Sequence, residues 1–136
     1  MTLDDALDRF PGALAYRPGM DAEQNVEMLE LIRTGVKTAG CAVLSQFDDS
    51  SQVPQEGCVE IALDWTGRPV VATRTIMVER LRYCDMDEIR VRPQGGYVDL
   101  DDWQREYSTF FVRNDGFDSE AEMVMRHFKV IEDFKT

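Results

Sequence analysis

The sequence predicts an α+β fold, a mixed β-barrel flanked by helices and formed by residues 1–136 as a single domain. Apolar residues alternate in several runs, which predicts strands. Two longer stretches carry a capping residue followed by apolar residues at helical spacing. The predicted strands are 41–45, 59–64, 69–81 and 124–131, and the main predicted helices are 21–34 and 99–113. A chain of 136 residues is long enough to bury roughly two thirds of its unfolded surface in one core.

The chain is strongly acidic. It has 15 basic and 26 acidic residues, a net charge of −11 at neutral pH. This charge opposes non-specific binding to nucleic acid or to an anionic membrane. It still leaves room for a small basic cleft in an acidic body. No motif specific for DNA is present.

Cysteine and histidine usage argues against a metal site. The cysteines are Cys41, Cys58 and Cys84, without a CxxC spacing, and His127 is the one histidine. An odd number of cysteines without ligand spacing is typical of reduced cytosolic thiols.

No apolar run approaches a membrane span, and the N-terminus lacks a signal sequence. We therefore expect a cytoplasmic protein with no metal, no cofactor and no membrane partner.

The N-terminal elements carry clear capping signals. Thr2 can cap a short helix that ends at Phe10, and residues 16–19 form a turn-rich connection. Asp21 can cap a second helix whose apolar face includes Val26, and Gly35 is a suitable C-terminal stop.

Lys37 and Thr38 lie where this second helix gives way to a strand. A junction of this kind is a common place for ligand-contacting groups. The alternative is a solvated lysine that simply follows a glycine cap. The sequence leaves both open.

Arg74 departs from the pattern of its strand. Thr66-Gly67 suggests a tight two-residue hairpin loop leading into the strand 69–81, where Arg74 shares the phase of the apolar residues. An arginine on the inner face needs a carboxylate, a carbonyl or a ligand. An ion pair with Glu60 or Asp64 and a place in a ligand cleft are both consistent with this position.

The third helix begins after Asp99 and has an aromatic stripe. Stripes at this spacing are more often core than ligand-binding surface. Its members are Leu100, Trp103, Tyr107, Phe110 and Phe111. Polar segments at 47–55, 90–97 and 117–122 are predicted to be loops, and His127 is predicted to be structural.

Four segments in this order resemble those of the ASCH domain family, over about residues 16–131. Tyr16-Arg17-Pro18-Gly19 resembles its aromatic-x-Phe-Gly-Asp segment, and Gly35-Val36-Lys37-Thr38-Ala39 resembles its Gly-x-Lys-Thr-Ala-Thr signature. Residues 63–69 resemble its Leu-Asp-Trp-x-Gly-x-Pro hairpin. Residues 99–103, with the later pair of phenylalanines, resemble its Ser-Leu-x-x-Trp helix.

The resemblance implies a PUA-like β-barrel with a cleft for RNA or a modified nucleoside. In family members that hydrolyse acetylcytidine, catalysis rests on the signature lysine, the second threonine and a glutamate before the long helix. Lys37 matches the lysine, but the threonine falls on Gly40 and the loop 92–96 has no carboxylate. Tyr107 replaces a common histidine, and Met20 replaces the aspartate of the first segment.

These departures weaken the expectation of hydrolysis. Amide hydrolysis needs an activated nucleophile and an acid–base group. Gly40 offers no hydroxyl, and Gln94 cannot exchange a proton at neutral pH. We therefore expect a binding protein that lacks this chemistry.

Three functions remain open. The first is RNA or nucleotide binding, with stacking and polar contacts from Lys37, Thr38, Arg74, Gln94, Trp65 and Tyr107. The second is an amidohydrolase on a modified nucleoside, in which Lys37 is catalytic. The third is an acidic interaction protein whose cleft is empty.

Overall fold

The computed structural model describes residues 1–47, 53–114 and 119–134, with the side chains of 46 and 109–114 excepted. Within these residues it contains four α-helices and five strands. The helices are α1 (Leu3–Arg9), α2 (Ala22–Arg33), α3 (Glu88–Val91) and α4 (Leu100–Asn114). The strands are β1 (Leu14–Tyr16), β2 (Ala39–Val43), β3 (Val59–Leu63), β4 (Pro69–Arg82) and β5 (Glu122–Asp133). None of the helices in this described part is both long and apolar enough to cross a membrane.

The strands form one curled, half-barrel sheet in the order β1-β3-β4-β5-β2. β1 runs parallel to β3, and the other neighbours are antiparallel. The predicted α+β class is confirmed. Strand β1 was not predicted, because three residues beside a Pro-Gly turn are too few to show alternation.

Three apolar clusters hold the helices against the sheet. α1 packs through Ala6 on Ile61 and Ala72. α2 packs through Leu29 and Ile32 on a second cluster. α4 packs through Trp103 on a third. At the start of β4, both faces of the sheet are therefore covered by helices.

The predicted caps of the first two helices are confirmed. Thr2 and Asp5 form a capping box on α1, and the Asp21 carboxylate accepts a hydrogen bond from the backbone N–H of Gln24. Gly35 has a φ of 81° and follows the end of α2. One helix-face prediction is wrong, since Val26 is 67% exposed and Asn25 is buried instead.

Several boundaries differ from the predictions. β2 begins at Ala39 and ends at Val43, two residues earlier than expected, because Thr38 and Ala39 already join the sheet beside β5. The loop predicted over 90–97 contains the end of α3 and a 3-10 turn at Arg92–Gln94. Residues 48–52 of the predicted loop 47–55 and residues 117–118 of the predicted loop 117–122 lie outside the described residues, as do the side chains of Phe110 and Phe111.

The β3–β4 hairpin has a longer loop than the predicted two residues. The backbone N–H of Asp64 donates to the carbonyl of Arg68 at 2.9 Å. The Asp64 carboxylate accepts hydrogen bonds from the backbone N–H groups of Thr66 and Arg68 at 2.9 and 3.0 Å. Aspartate satisfies the loop backbone here, and Gly67 supplies the positive φ of 90°.

The prediction that Arg74 points to the inner face is wrong. Arg74 is exposed and lies opposite Val59 in the sheet. α1 covers this face at Ile61 and Ala72, but the face is open to solvent at Arg74. In this part of β4, the side chains that point into the interior are those of Thr73 and Thr75.

The arginine inside the sheet is Arg126 of β5. Its Nε lies 2.8 Å from a Glu60 carboxylate oxygen, and it donates to the hydroxyls of Thr73 and Thr75, each at 2.6 Å. Burial raises the pKa of the nearby Tyr16 hydroxyl to about 12, with Glu60 adding to the shift. An internal pair with Glu60 is thus present, but with a different arginine from the one considered in the sequence.

Candidate ligand cleft

A cleft of about 490 Å³ lies between α2, β2 and α4. This volume is within the range of small-molecule sites. Its walls combine methionine, tyrosine and charged side chains. They include Arg17, Met20, Gln24, Met28, Cys41, Tyr97, Glu106 and Tyr107.

Tyr107 forms a fixed aromatic wall of this cleft. Its hydroxyl donates to the carbonyl of Cys41 at 2.9 Å, and its ring stacks on Trp103 with centroids 4.4 Å apart. Burial raises the pKa of Tyr107 well above its usual value. Burial also raises the pKa of Tyr97, with the Glu106 carboxylate as a further cause. Both tyrosines therefore remain neutral at physiological pH.

Arg17 brings a positive charge to the rim of the cleft. Its guanidinium lies over the Trp65 ring, 3.8 Å from the centroid, and donates one hydrogen bond to the Trp65 carbonyl at 3.2 Å. The side chain is exposed, and among the described residues it has no carboxylate in ion-pair contact. Its remaining N–H groups are available to a ligand.

Lys37 lies beside this cleft and not in it. Its Nζ donates to the Gln94 carbonyl at 2.9 Å, and burial lowers its pKa to about 8. Lys37 and Thr38 line a smaller cavity of about 270 Å³, together with Lys129. The backbone at Gly95 packs closely against Lys37: a Cβ atom added at Gly95 would lie only 3.1 Å from Lys37 Cα.

Gln94 is a core residue, contrary to its predicted place among the ligand contacts. Its side chain is 1% exposed. The amide oxygen accepts from Trp103 Nε1 at 2.9 Å, and the amide nitrogen donates to the Arg90 carbonyl at 3.0 Å. The Gln94 amide therefore holds α4 against the 3-10 turn and is not available to a ligand.

The predicted site residues lie in separate places. Tyr107 lines the cleft, Trp65 lines a neighbouring groove, and Lys37 and Thr38 share the smaller cavity. Arg74 lines none of these three, so its predicted convergence with Lys37 is not found.

Sequence reasoning missed three cleft residues, Arg17, Tyr97 and Glu106. Arg17 belongs to the segment Tyr16–Gly19, whose pattern indicates the family and not a ligand contact. Tyr97 directly follows the Gly95-Gly96 pair, and Glu106 directly precedes Tyr107. Their shared surface depends on contacts between distant segments, which no local pattern shows.

The cleft is better equipped for binding than for nucleophilic chemistry. Gly40 has no side chain, and burial raises the pKa of the Cys41 thiol to about 12, which disfavours a thiolate. His127 contacts Glu79 at 3.3 Å, away from the residues that line the cleft. In the described part of the chain, no group of three His, Cys, Asp or Glu side chains could hold a metal ion.

The fold and cleft define a small α+β protein with a curled PUA-like sheet and a ligand-sized cavity between sheet and helices. The profile of the ASCH domain matches residues 15–132. The chain therefore belongs to the ASCH domain family. No match to a curated protein was found.

Solved structures show the same fold. An ASCH domain from Lactobacillus crispatus JV V101 superposes with a TM-score of 0.80 at 22% identity, covering 93% of this chain and 84% of that one. A protein from Enterococcus faecalis V583 gives a TM-score of 0.82 at 24% identity, covering 98% and 92%. A mutant ASCH protein from Zymomonas mobilis gives 0.53 at 9% identity, covering 90% and 73%.

Proposed function

We propose that this protein binds RNA or a nucleotide unit and takes one nucleobase into the cleft between α2 and α4. The observation that carries this proposal is a cavity of about 490 Å³ walled by neutral tyrosines, with Arg17 exposed at its rim. Aromatic walls with an adjacent cation are the usual means of holding single-stranded nucleic acid.

The polar groups of the cleft suit a base and its phosphate. The Glu106 carboxylate can accept hydrogen bonds from the amino or imino N–H groups of a base. Arg17 offers a guanidinium to phosphate oxygens. In a chain with a net charge of −11, a cation without an ion-pair partner among the described residues is a local focus for an anion.

The alternative, an amidohydrolase acting on a modified nucleoside, has less support. Gly40 leaves the expected nucleophile position without a hydroxyl, and the Cys41 thiol is held in its neutral form by burial. Lys37 is directed to the Gln94 carbonyl and does not line the cleft. Cys41, Cys58 and Cys84 are free thiols, compatible with the reducing cytoplasm, where we place the binding activity.

The test is calorimetric titration with nucleosides, nucleotides and short RNAs, supported by thermal denaturation. A cleft ligand should raise the melting temperature by mass action. Tyr97→Leu, which keeps bulk but removes the ring, should weaken binding about tenfold, whereas Tyr97→Phe should stay close to wild type.

Two results would overturn this proposal. One is the absence of binding to any of these ligands in the wild-type protein. The other is steady turnover of acetylcytidine that disappears in Lys37→Ala, which would establish the hydrolase instead.

A further inference from the structure

We propose that the protein binds two successive nucleotides of single-stranded RNA, one base in the cleft and the next base against Trp65. This inference rests on the proposed function and names its ligand as a strand. The second base would occupy a groove of about 280 Å³ between α2 and the β3–β4 hairpin.

The groove has an apolar floor and an aromatic wall. Leu29 and Val70, at 5% and 1% exposure, form the floor, and the half-buried Trp65 forms the wall. A nucleobase presents an apolar face that stacks on such a ring regardless of sequence. The shape and chemistry of the groove therefore suit a base.

The walls of the groove are firmly held. Asn25 is fully buried beside it and donates to the carbonyls of Pro18 and Leu63 at 2.8 and 3.1 Å. These bonds tie the segment before α2 to the end of β3. The groove therefore exists before any ligand arrives, which lowers the entropic cost of binding.

The carboxylates that border the groove already have partners. The Asp64 carboxylate accepts hydrogen bonds within the hairpin loop, from Thr66 and Arg68. Glu30 lies 3.3 Å from the guanidinium of Arg33. These partners reduce the electrostatic repulsion between the two carboxylates and the phosphate backbone of an RNA strand.

Arg17 connects the groove to the cleft. Its guanidinium lines the cleft and also covers the Trp65 ring, which lines the groove. Two successive bases are joined by one phosphate, and here one exposed cation lies between the two base-sized spaces. α2 separates them, with Gln24 and Met28 on the cleft side and Val26 and Leu29 on the groove side.

Charge and continuity select RNA over an apolar peptide segment as the occupant. A peptide side chain could fill the groove, but it would not use the Arg17 guanidinium or the adjoining cleft. A polynucleotide engages the ring, the cation and the cleft together.

The test compares adenosine with the dinucleotide adenylyl-adenosine by calorimetry. In the wild type, the dinucleotide should bind at least about tenfold more tightly, since one stacked base and one phosphate contact are added. This ratio of affinities should fall towards one in Trp65→Leu and persist in Trp65→Phe. Val26→Trp, which fills the groove from an exposed helix position, should also abolish it.

Fluorescence supplies an independent readout, because the chain has only two tryptophans. Stacking of a base should quench the emission of Trp65 in the wild type. In Trp65→Phe, the buried Trp103 alone emits, and the dinucleotide should cause no such quenching.

The outcomes separate the two proposals. Adenosine binding that depends on Tyr97, with an affinity ratio near one and unchanged Trp65 emission, would overturn the two-base inference alone. An affinity ratio that survives both Trp65→Leu and Val26→Trp would also overturn it. Failure of both ligands to bind would overturn the proposed function and this inference together.

Discussion

Lys37 places its ammonium group in a partly buried position, where its hydrogen-bond partner among the described residues is the neutral Gln94 carbonyl. Burial is the main cause of its lowered pKa of about 8, and the nearby Cys41 thiol opposes the shift. Below pH 8 the amine is charged in both the folded and unfolded states, so the desolvation cost is fully present. Between pH 8 and the ordinary lysine pKa of 10.5, the folded protein has released this proton and the unfolded chain has not.

The free energy of unfolding should therefore rise with pH across this window, relative to that of Lys37→Met. Chemical denaturation of both proteins from pH 7 to pH 10 measures the difference. NMR of the lysine side chains should show a Lys37 midpoint near 8, with the exposed Lys129 as an internal reference signal. A Lys37 midpoint above pH 10 would contradict the assignment.

At the scale of elements, α4 depends on Trp103 for its contact with the rest of the fold. The indole is fully buried and stacks against Tyr83 and Tyr107 at centroid distances of 5.2 and 4.4 Å. The indole N–H donates a hydrogen bond to the side-chain amide oxygen of Gln94, and the backbone carbonyl of Gln94 accepts one from Lys37 Nζ. The predicted structural role is therefore supported by the contacts, and Leu100 packs beside it as expected.

Trp103→Ala should lower the free energy of unfolding by about 3–5 kcal/mol, the usual range for emptying a buried aromatic site. Trp103→Phe should cost less, because it keeps an aromatic ring in the stack and loses the hydrogen bond to Gln94 together with a smaller part of the buried volume. Denaturant titration distinguishes the two variants. Wild-type stability in Trp103→Ala would contradict a structural role.

The elements differ in how far they could be predicted. Helices α1 and α2 were predicted because Thr2 and Asp21 cap them through neighbours three residues away. The phase of β4 was not predicted, because residues 69–73 are buried on both faces and its pairing with β5 shifts register at Ala72/Thr73 and Thr75/Met77. Such shifts arise between strands and leave no trace in one strand's alternation.

At the scale of the whole molecule, an ion pair lies inside the curled sheet. Arg126 on β5 reaches Glu60 on β3 across the intervening strand β4, from which Thr73 and Thr75 contribute hydroxyls. Burial raises the pKa of Glu60, and Arg126 opposes that shift. The pair thus links β5 to the β3–β4 hairpin, which is distant from β5 in sequence.

Arg126→Met should cost about 3–5 kcal/mol at pH 8, since it leaves a buried carboxylate without its cation. The deficit should shrink towards pH 5, because the Glu60 pKa, freed from Arg126, rises further and the folded state takes up a proton. Glu60→Gln combined with Arg126→Met should recover much of the loss in denaturation experiments. A single variant as stable as the wild type would show that the pair is dispensable.

The candidate site was only partly predictable for a related reason. Tyr107 was found because it belongs to a helical stripe, and Lys37 because it follows a helix stop. Arg17, Tyr97 and Glu106 meet only after α2, α4 and the sheet have packed. Local patterns identify residues on one element, whereas a cleft is made by several elements at once.

The two edge strands of the sheet, β1 and β2, have a consequence for self-association. β1 is only three residues long and is followed by Pro18. At the other edge, the N–H of Thr38, just before β2, donates to the Pro93 carbonyl, and the Cys41 carbonyl of β2 accepts from the Tyr107 hydroxyl. Exposed margins of sheets are where chains polymerise into fibrils. Because one edge strand is short and the other already has hydrogen-bond partners, this fold offers little backbone for a further strand to pair with, even at the concentrations that binding titrations require.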